Sequence, residues 1–171
     1  IVYSGGLGKR KNVGLLLKAL KILELAGEEV ELIISGAHPH RTAYPSMASE
    51  MGLKHVHFTG FIDDHKMADF YRSGDLMVFP SEYEGFGLAP LESMASGTPV
   101  LSATGGALQE TSGNGAMYFE YDAVDLATKI LKLKEDEALR GELTKKGLKQ
   151  ASKYTWEQTV SETEALYRKI A

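Results

Sequence analysis

Short runs of apolar residues alternate along the chain with longer segments in which apolar residues recur every three or four positions. The first pattern is typical of buried strands and the second of amphipathic helices. The apolar runs predict six strands, over 1–4, 30–34, 55–58, 75–79, 99–102 and 116–119. The helical periodicity predicts helices over 12–26, 41–51, 63–72 and 88–96, and three more that close the chain, over 122–134, 136–153 and 156–170.

This alternation predicts a mostly parallel sheet with helices on both faces, because a parallel strand pair needs a crossover connection of about a dozen residues. We therefore expect a doubly wound, Rossmann-like α/β fold of about six strands. Such sheets bind ligands beyond the carboxyl ends of their strands. The loops predicted at that edge all contain glycine, and they are 5–11, 35–40, 59–62, 80–87 and 103–107.

The last predicted helix has two features of its own. Thr155-x-x-Gln158 matches a capping box at its start. Apolar and small residues also follow a helical spacing, at Trp156, Val160, Thr163, Tyr167 and Ile170. The simplest expectation is that this stripe packs against the rest of the domain.

Composition narrows the class of protein. The chain has 171 residues, with 19 Lys and Arg against 23 Asp and Glu, and the net charge of −4 argues against non-specific binding of nucleic acid. It contains no cysteine, which excludes disulfides and thiolate chemistry and fits a cytoplasmic setting. No apolar run approaches the roughly 20 residues that cross a bilayer. An anionic ligand would therefore need a local basic site.

The loop Gly5-Gly6-Leu7-Gly8-Lys9-Arg10-Lys11-Asn12 places three consecutive cations directly before a predicted helix. Cations and helix N-termini both attract anions, so this loop is a candidate anion site. It is not a Walker P-loop, because Arg10 stands where Ser or Thr is required. The alternative is an ordinary solvated basic turn.

A second candidate lies where the fourth strand meets the next helix. Gly85 and Gly87 allow the backbone to approach a ligand closely, and the backbone N–H groups of Phe86 to Ala89 could hold a phosphate. Glu84 and Glu92 flank this turn, and carboxylates accept hydrogen bonds from sugar hydroxyls. A diphosphate with a sugar on each side would suit this pattern. The alternative is two surface glutamates beside a tight turn.

The segment Glu84-Gly-Phe-Gly-Leu-Ala-Pro-Leu-Glu92 resembles the E-x7-E motif of retaining, nucleotide-sugar-dependent glycosyltransferases of family 4, group 1, which have the GT-B fold. The resemblance extends over nearly the whole chain. The segment 4–13 resembles that family's first phosphate loop, 58–62 its base-binding loop, 103–110 its later glycine loop, and 154–157 the start of its final helix.

The resemblance implies a role for each matching position. Glu84 would be the catalytic residue that contacts the donor sugar, Glu92 would bind the ribose hydroxyls, and Lys11 would contact the diphosphate. The remaining donor-binding residues so implied are Gly5, Gly6 and Arg10 in the first loop, Ile62 against the base, and Phe86, Gly87, Leu88 and Ala89 through their backbone.

One position departs from the family pattern. Gly6 stands where the family usually has an arginine that contacts phosphate. Lys9 or Arg10 could replace that contact, or the site could bind its donor more weakly, and the sequence leaves both alternatives open.

The resemblance further implies that residues 1–171 are one nucleotide-sugar-binding domain, the C-terminal half of a GT-B enzyme whose N-terminal acceptor domain is absent. The expected partners are a nucleotide sugar, an acceptor of unknown class and that N-terminal half, which the final helix can reach and which could associate peripherally with a membrane. No metal or other cofactor is required, because Lys11 and a helix N-terminus can stabilise the leaving diphosphate. The isolated fragment is expected to be inactive.

Other functions stay open at this point. A nucleotide-sugar-binding module without transfer activity would explain Gly6, and a nucleotide-sugar epimerase would need an acid or base that is not evident. His38-x-His40 and His55-x-His57 lack a neighbouring carboxylate for a metal site, and nothing in the sequence brings Ser81 near His65 as nucleophile and base.

Overall fold

In the computed structural model, which describes residues 1–36 and 42–170, six strands form one sheet in which every neighbouring pair is parallel. These strands are β1 (Val2–Gly5), β2 (Leu32–Gly36), β3 (Val56–Gly60), β4 (Met77–Phe79), β5 (Val100–Ser102) and β6 (Ala116–Tyr118). Their order across the sheet is β3-β2-β1-β4-β5-β6. The predicted doubly wound parallel sheet is confirmed, with strand ends shifted by a few residues.

The helices lie between and after the strands. They are α1 (Val13–Leu25), α2 (Tyr44–Glu50), α3 (Asp64–Arg72), α4 (Leu88–Ala95), α5 (Leu108–Ser112), α6 (Ala123–Glu135), α7 (Glu137–Ala151) and α8 (Trp156–Ile170). Helix α5 was not predicted, because five residues are too few to show a helical period. The first residue of the helix predicted over 41–51 lies outside the described residues.

The core forms on both faces of the sheet. Every residue of β4 and β5 is buried, as expected for strands covered on both sides. Helix α1 packs against α6, and α4 packs against α7. Most of the residues that these helices bury are apolar and helically spaced, among them Leu16, Leu20, Leu126, Ile130 and Leu143.

The direction of the winding reverses between β1 and β4. From β1 the chain proceeds to β2 and β3 on one side, and from β4 to β5 and β6 on the other. The loops that leave the carboxyl ends of β1 and β4 therefore run in opposite directions and open a crevice between them. The two loops that carry the predicted anion sites, 5–12 and 80–87, follow these two strands.

Helix α8 does not pack on the domain, so the packing expected from its apolar stripe is wrong. Every residue of α8 is exposed, including Trp156 at 76%. The capping box is half formed: the Thr155 hydroxyl accepts from the Gln158 backbone N–H at 3.1 Å, whereas the Gln158 amide donates to Glu162. An apolar stripe shows that a helix has an apolar face, but the stripe does not identify what covers that face.

Within the described part of the chain, no helix combines the length and apolar character that crossing a membrane requires.

Candidate functional site

The two predicted anion loops meet at Lys11 and Glu84. A single 3-10 turn over Lys9–Lys11 carries Lys11 toward the end of β4, and the Lys11 Nζ lies 2.5 Å from the Glu84 Oε1. The Ser81 hydroxyl donates to the same oxygen at 2.5 Å, and the Arg10 guanidinium lies 3.3 Å from it. One carboxylate oxygen therefore joins the loop after β1 to the loop after β4.

These contacts determine the charge of Glu84. Partial burial opposes ionisation, but the hydrogen bonds from Lys11 and Ser81, together with the charges of Lys11 and Arg10, outweigh it and hold the pKa of Glu84 below its ordinary value. Glu84 is therefore a carboxylate at neutral pH. The Lys11 ammonium also lies 5.3 Å from the centre of the Phe79 ring, within cation–π range.

Further hydrogen bonds fix the backbone around Glu84. The Glu82 N–H donates to the Arg10 carbonyl at 2.9 Å, and the Arg10 guanidinium donates to the Tyr83 carbonyl. The Tyr121 hydroxyl, beyond β6, lies 3.1 and 3.2 Å from the carbonyl oxygens of Ser81 and Glu82. The loop after β4 is therefore held by segments that follow β1 and β6.

The loop after β5 supports the same backbone from the other side. Gly106 forms an isolated parallel bridge with Glu84, and the Ala107 N–H donates to the Glu84 carbonyl at 2.9 Å. Gly106 has a φ of 64°, and a Cβ there would collide with the Glu84 backbone. Only glycine allows this close approach.

Helix α4 begins beside this bridge with its N-terminus open. Gly87, its N-cap, has a φ of 99°, and a Cβ there would stand 2.8 Å from a Leu108 methyl group. The N-cap residues of α1 and α4, Asn12 and Gly87, supply no side-chain capping hydrogen bond, whereas Asp122 and Asp136 cap α6 and α7. In α1 the Leu15 N–H donates to the carbonyl of the N-cap Asn12 at 3.0 Å. The first-turn N–H groups of α4 have no acceptor within that helix, which suits an anion at this edge.

Glu92 lies on α4, one turn beyond that N-terminus, and is exposed. The Tyr71 hydroxyl, on α3, donates to its Oε2 at 2.8 Å. The two glutamates of the motif therefore have different environments: Glu84 is tied to cations, and Glu92 to a neutral phenol.

The structure places the remaining predicted residues along the same carboxyl edge. Gly5 ends β1, and Ile62 follows β3, where its side chain is partly buried against the core. Phe86 and Leu88 are exposed, and Ala89 is partly buried. A Cβ added at Gly6 would have no described atom within 4 Å.

A hydrolase with Ser81 as nucleophile and His65 as base does not fit this geometry. The Ser81 hydroxyl is buried and donates to Glu84, with the carbonyl oxygens of Arg10 and Tyr83 3.4 and 3.3 Å away, whereas His65 is an exposed residue of α3. In the described ranges no cluster of three or more His, Asp or Glu side chains could hold a metal ion. His38 and His40 lie outside those ranges.

Sequence reasoning missed three residues that act on the site: Ser81, Tyr71 and Tyr121. The spacing of Ser81 and Glu84, three residues apart in one turn, could have indicated their contact. Nothing in the sequence could have indicated the other two, because each tyrosine reaches the site from a different element.

Together the fold and these loops define a Rossmann-like α/β domain in which Arg10, Lys11 and Glu84 meet at the topological switch point. The chain belongs to the glycosyl transferases group 1 family, whose model matches residues 1–150. This membership confirms the resemblance to the group 1 glycosyltransferases.

Individual proteins are also similar to this chain in sequence or in structure. O-antigen chain mannosyltransferase B of Escherichia coli is 30% identical over 98% of this chain and 45% of its own length. Sucrose-phosphate synthase of Thermosynechococcus elongatus superposes with a TM-score of 0.88 and 29% identity, over 99% of this chain and 45% of that chain. HepE of Anabaena in complex with UDP-glucose superposes with a TM-score of 0.83 over 99% of this chain and 49% of that chain, and at 22% identity it shows the fold alone.

The predicted fold, that of a GT-B glycosyltransferase half, is confirmed. The chain spans about half the length of the curated relatives it matches.

Proposed function

We propose that this chain is the donor-binding half of a retaining glycosyltransferase, which transfers a sugar from a nucleoside diphosphate to an acceptor held by another part of the full protein. The observation that carries the proposal is the meeting of Lys11 and Glu84 at the switch point, beside the open N-terminus of α4. A cation, free N–H groups and a carboxylate converge there.

The leaving diphosphate determines what the crevice must do. When the bond between the anomeric carbon and the phosphate oxygen breaks, its electron pair stays with the diphosphate. Lys11 and the first-turn N–H groups of α4 would stabilise this developing charge. In this proposal they do so without a metal ion, and Arg10 adds a second positive charge at the rim.

The two glutamates would bind the two sugars. Glu84 is ionised and rigidly held, so it can accept hydrogen bonds from the donor sugar next to the bond that breaks. Glu92, one turn along α4, would accept from the ribose hydroxyls. The backbone of Phe86 to Ala89 would lie between them against the phosphates, and Ile62 would lie nearer the base.

Calorimetry tests the proposal. We expect the chain to bind UDP, GDP or ADP, or a sugar nucleotide such as UDP-glucose or GDP-mannose, and we expect Lys11→Ala and Glu92→Ala each to weaken that binding about tenfold or more. Lys134→Ala and Glu142→Ala are matched controls, because both residues form ion pairs away from the crevice. The proposal fails if none of these ligands binds, or if the controls weaken binding as much as the site variants.

Transfer needs the acceptor as well as the donor. We therefore propose that the chain alone binds a donor but gives no measurable transfer, and that the full-length protein transfers a sugar with retention at the anomeric carbon. Proton NMR of the product distinguishes retention from inversion, and it also detects an epimerised donor if the epimerase alternative is correct.

A further inference from the structure

Tyr71 is buried on α3, yet its hydroxyl reaches the exposed Glu92 on a different helix. We propose that Tyr71 is a positioning residue that orients Glu92 for the donor ribose, an inference that rests on the proposed function. Tyr71 itself would touch no ligand and would act only through the carboxylate.

Tyr71 is well placed to hold another side chain still. Its ring is 1% exposed, and its carbonyl accepts a hydrogen bond from the Thr98 hydroxyl at 2.7 Å. Thr98 is itself buried, between α4 and β5. The backbone that carries the phenol is therefore fixed to the segment that connects the helix of Glu92 to the next strand.

The hydrogen bond has a defined direction. Burial, the largest cause, and the nearby Glu92 carboxylate raise the pKa of Tyr71 well above its ordinary value. The phenol is consequently protonated at neutral pH and donates its single proton to the Glu92 Oε2 at 2.8 Å. The acceptor sites of Oε1 stay available for ribose hydroxyls.

An exposed glutamate otherwise samples several rotamers, and fixing them costs conformational entropy when a ligand binds. The Tyr71 hydroxyl lowers that cost in advance, because it holds one oxygen of Glu92 before the ribose arrives. Removing the hydroxyl should therefore weaken ribose recognition selectively and leave phosphate binding at Lys11 unchanged.

Tyr71→Phe tests this inference, since it removes the hydroxyl and keeps the buried ring. The ligands are UDP, GDP and ADP, each compared with its 2′,3′-dideoxy analogue, in calorimetry with the 171-residue chain. For the nucleotide that binds, we expect Tyr71→Phe to raise the Kd of the ribonucleotide about fivefold and to leave the Kd of the dideoxy analogue unchanged. The ratio of the two Kd values is independent of the folded fraction, because both ligands bind the same folded molecules.

Two further variants separate positioning from a general effect. In a Glu92→Ala background, Tyr71→Phe should no longer change the ribonucleotide affinity, because the group it positions is gone. Tyr118→Phe is the matched control: it removes a hydroxyl that donates to the Gly113 carbonyl at 2.7 Å, and it should leave the ratio unchanged.

The outcomes distinguish this inference from the proposed function. If the wild-type chain binds no nucleotide, both fail. If it binds and Tyr71→Phe leaves the ratio unchanged, or weakens both ligands equally, the positioning role is wrong and the proposed function stands. The positioning role is also wrong, and the proposed function stands, if Tyr71→Phe still weakens ribonucleotide binding in the Glu92→Ala background.

Discussion

The Lys11 ammonium lies 2.5 Å from the Glu84 Oε1, although 73 residues separate the two in the chain. The cation proposed for the diphosphate is thus paired with the carboxylate proposed for the sugar. A diphosphate that enters the crevice therefore meets a lysine already held in place, and it shares that lysine with Glu84. The contact also fastens the loop after β1 to the loop after β4, so it contributes to stability as well as to binding.

Glu84→Gln should lower the free energy of unfolding at pH 7 by about 1–2 kcal/mol, because glutamine cannot neutralise Lys11. The pKa of Glu84 is lowered in the fold, so its stabilising effect is present above the unfolded value of about 4.3 and is lost as the pH falls through the folded value. Urea denaturation between pH 7 and about pH 3.5 should show that the difference in the free energy of unfolding between wild type and variant becomes smaller at acidic pH.

Glu142→Gln is the control for this prediction. Glu142 pairs with Lys146 on the exposed surface of α7, and such pairs contribute little to stability. The role assigned to the ion pair would be contradicted if Glu84→Gln lowered the free energy of unfolding equally at every pH. It would also be contradicted if that loss were no larger than the loss for Glu142→Gln.

Gly6→Arg should tighten nucleoside diphosphate binding about fivefold, because it supplies a charged phosphate contact. The described structure has open space where the new side chain would begin, and the Tyr3 hydroxyl fixes the local backbone by donating to the Gly6 carbonyl at 2.8 Å. Gly8→Arg is the matched control, since it adds the same charge at another glycine of the loop where an added Cβ would meet no described atom. Equal effects of both variants in calorimetry would show general electrostatic attraction instead of a specific contact.

The same substitution separates the two main alternatives for the full-length protein. An active transferase should transfer sugar as it stands, whereas a module that lost activity with its arginine should gain transfer only with Gly6→Arg. A radiolabelled-donor assay of both forms measures the difference.

Gly87→Ala should destabilise the fold by about 1–3 kcal/mol, since alanine is strained at positive φ and its Cβ would press against Leu108. It should also weaken nucleotide binding, because the N-terminus of α4 must shift to relieve that contact. Gly85→Ala, two residues earlier and with no described atom near its Cβ, should change the melting temperature much less. Equal melting temperatures for the two variants would contradict the packing of α4 against α5.

Ending the chain after Thr155 should leave the free energy of unfolding nearly unchanged, because every residue of the deleted α8 is exposed. Tyr154 is retained, since its ring packs edge-on against Phe86 with centroids 5.5 Å apart. Leu143→Ala in α7 is the contrasting variant and should cost about 2–4 kcal/mol, because this leucine is buried. Urea denaturation of both compares them directly, and a large loss for the shortened chain would show that α8 packs on the domain.

The sequence by itself determined the parallel sheet and the edge where the site lies. β4 is buried on both faces and its three residues are all apolar, and the helices between the strands leave parallel pairing as the consistent arrangement. It also determined the two glutamates and the basic loop, since both are local patterns beside predicted strand ends. The family followed from those same local patterns.

The tertiary structure alone decided which of these residues meet. Lys11 and Glu84 are joined across the switch point, Tyr71 reaches Glu92 from another helix, and the apolar stripe of α8 is left exposed. Periodicity reports how each segment is patterned along its own axis, whereas contacts between segments depend on how the strands are ordered in the sheet. The free energy that fixes that order is distributed over the whole core, so no single stretch of sequence carries it.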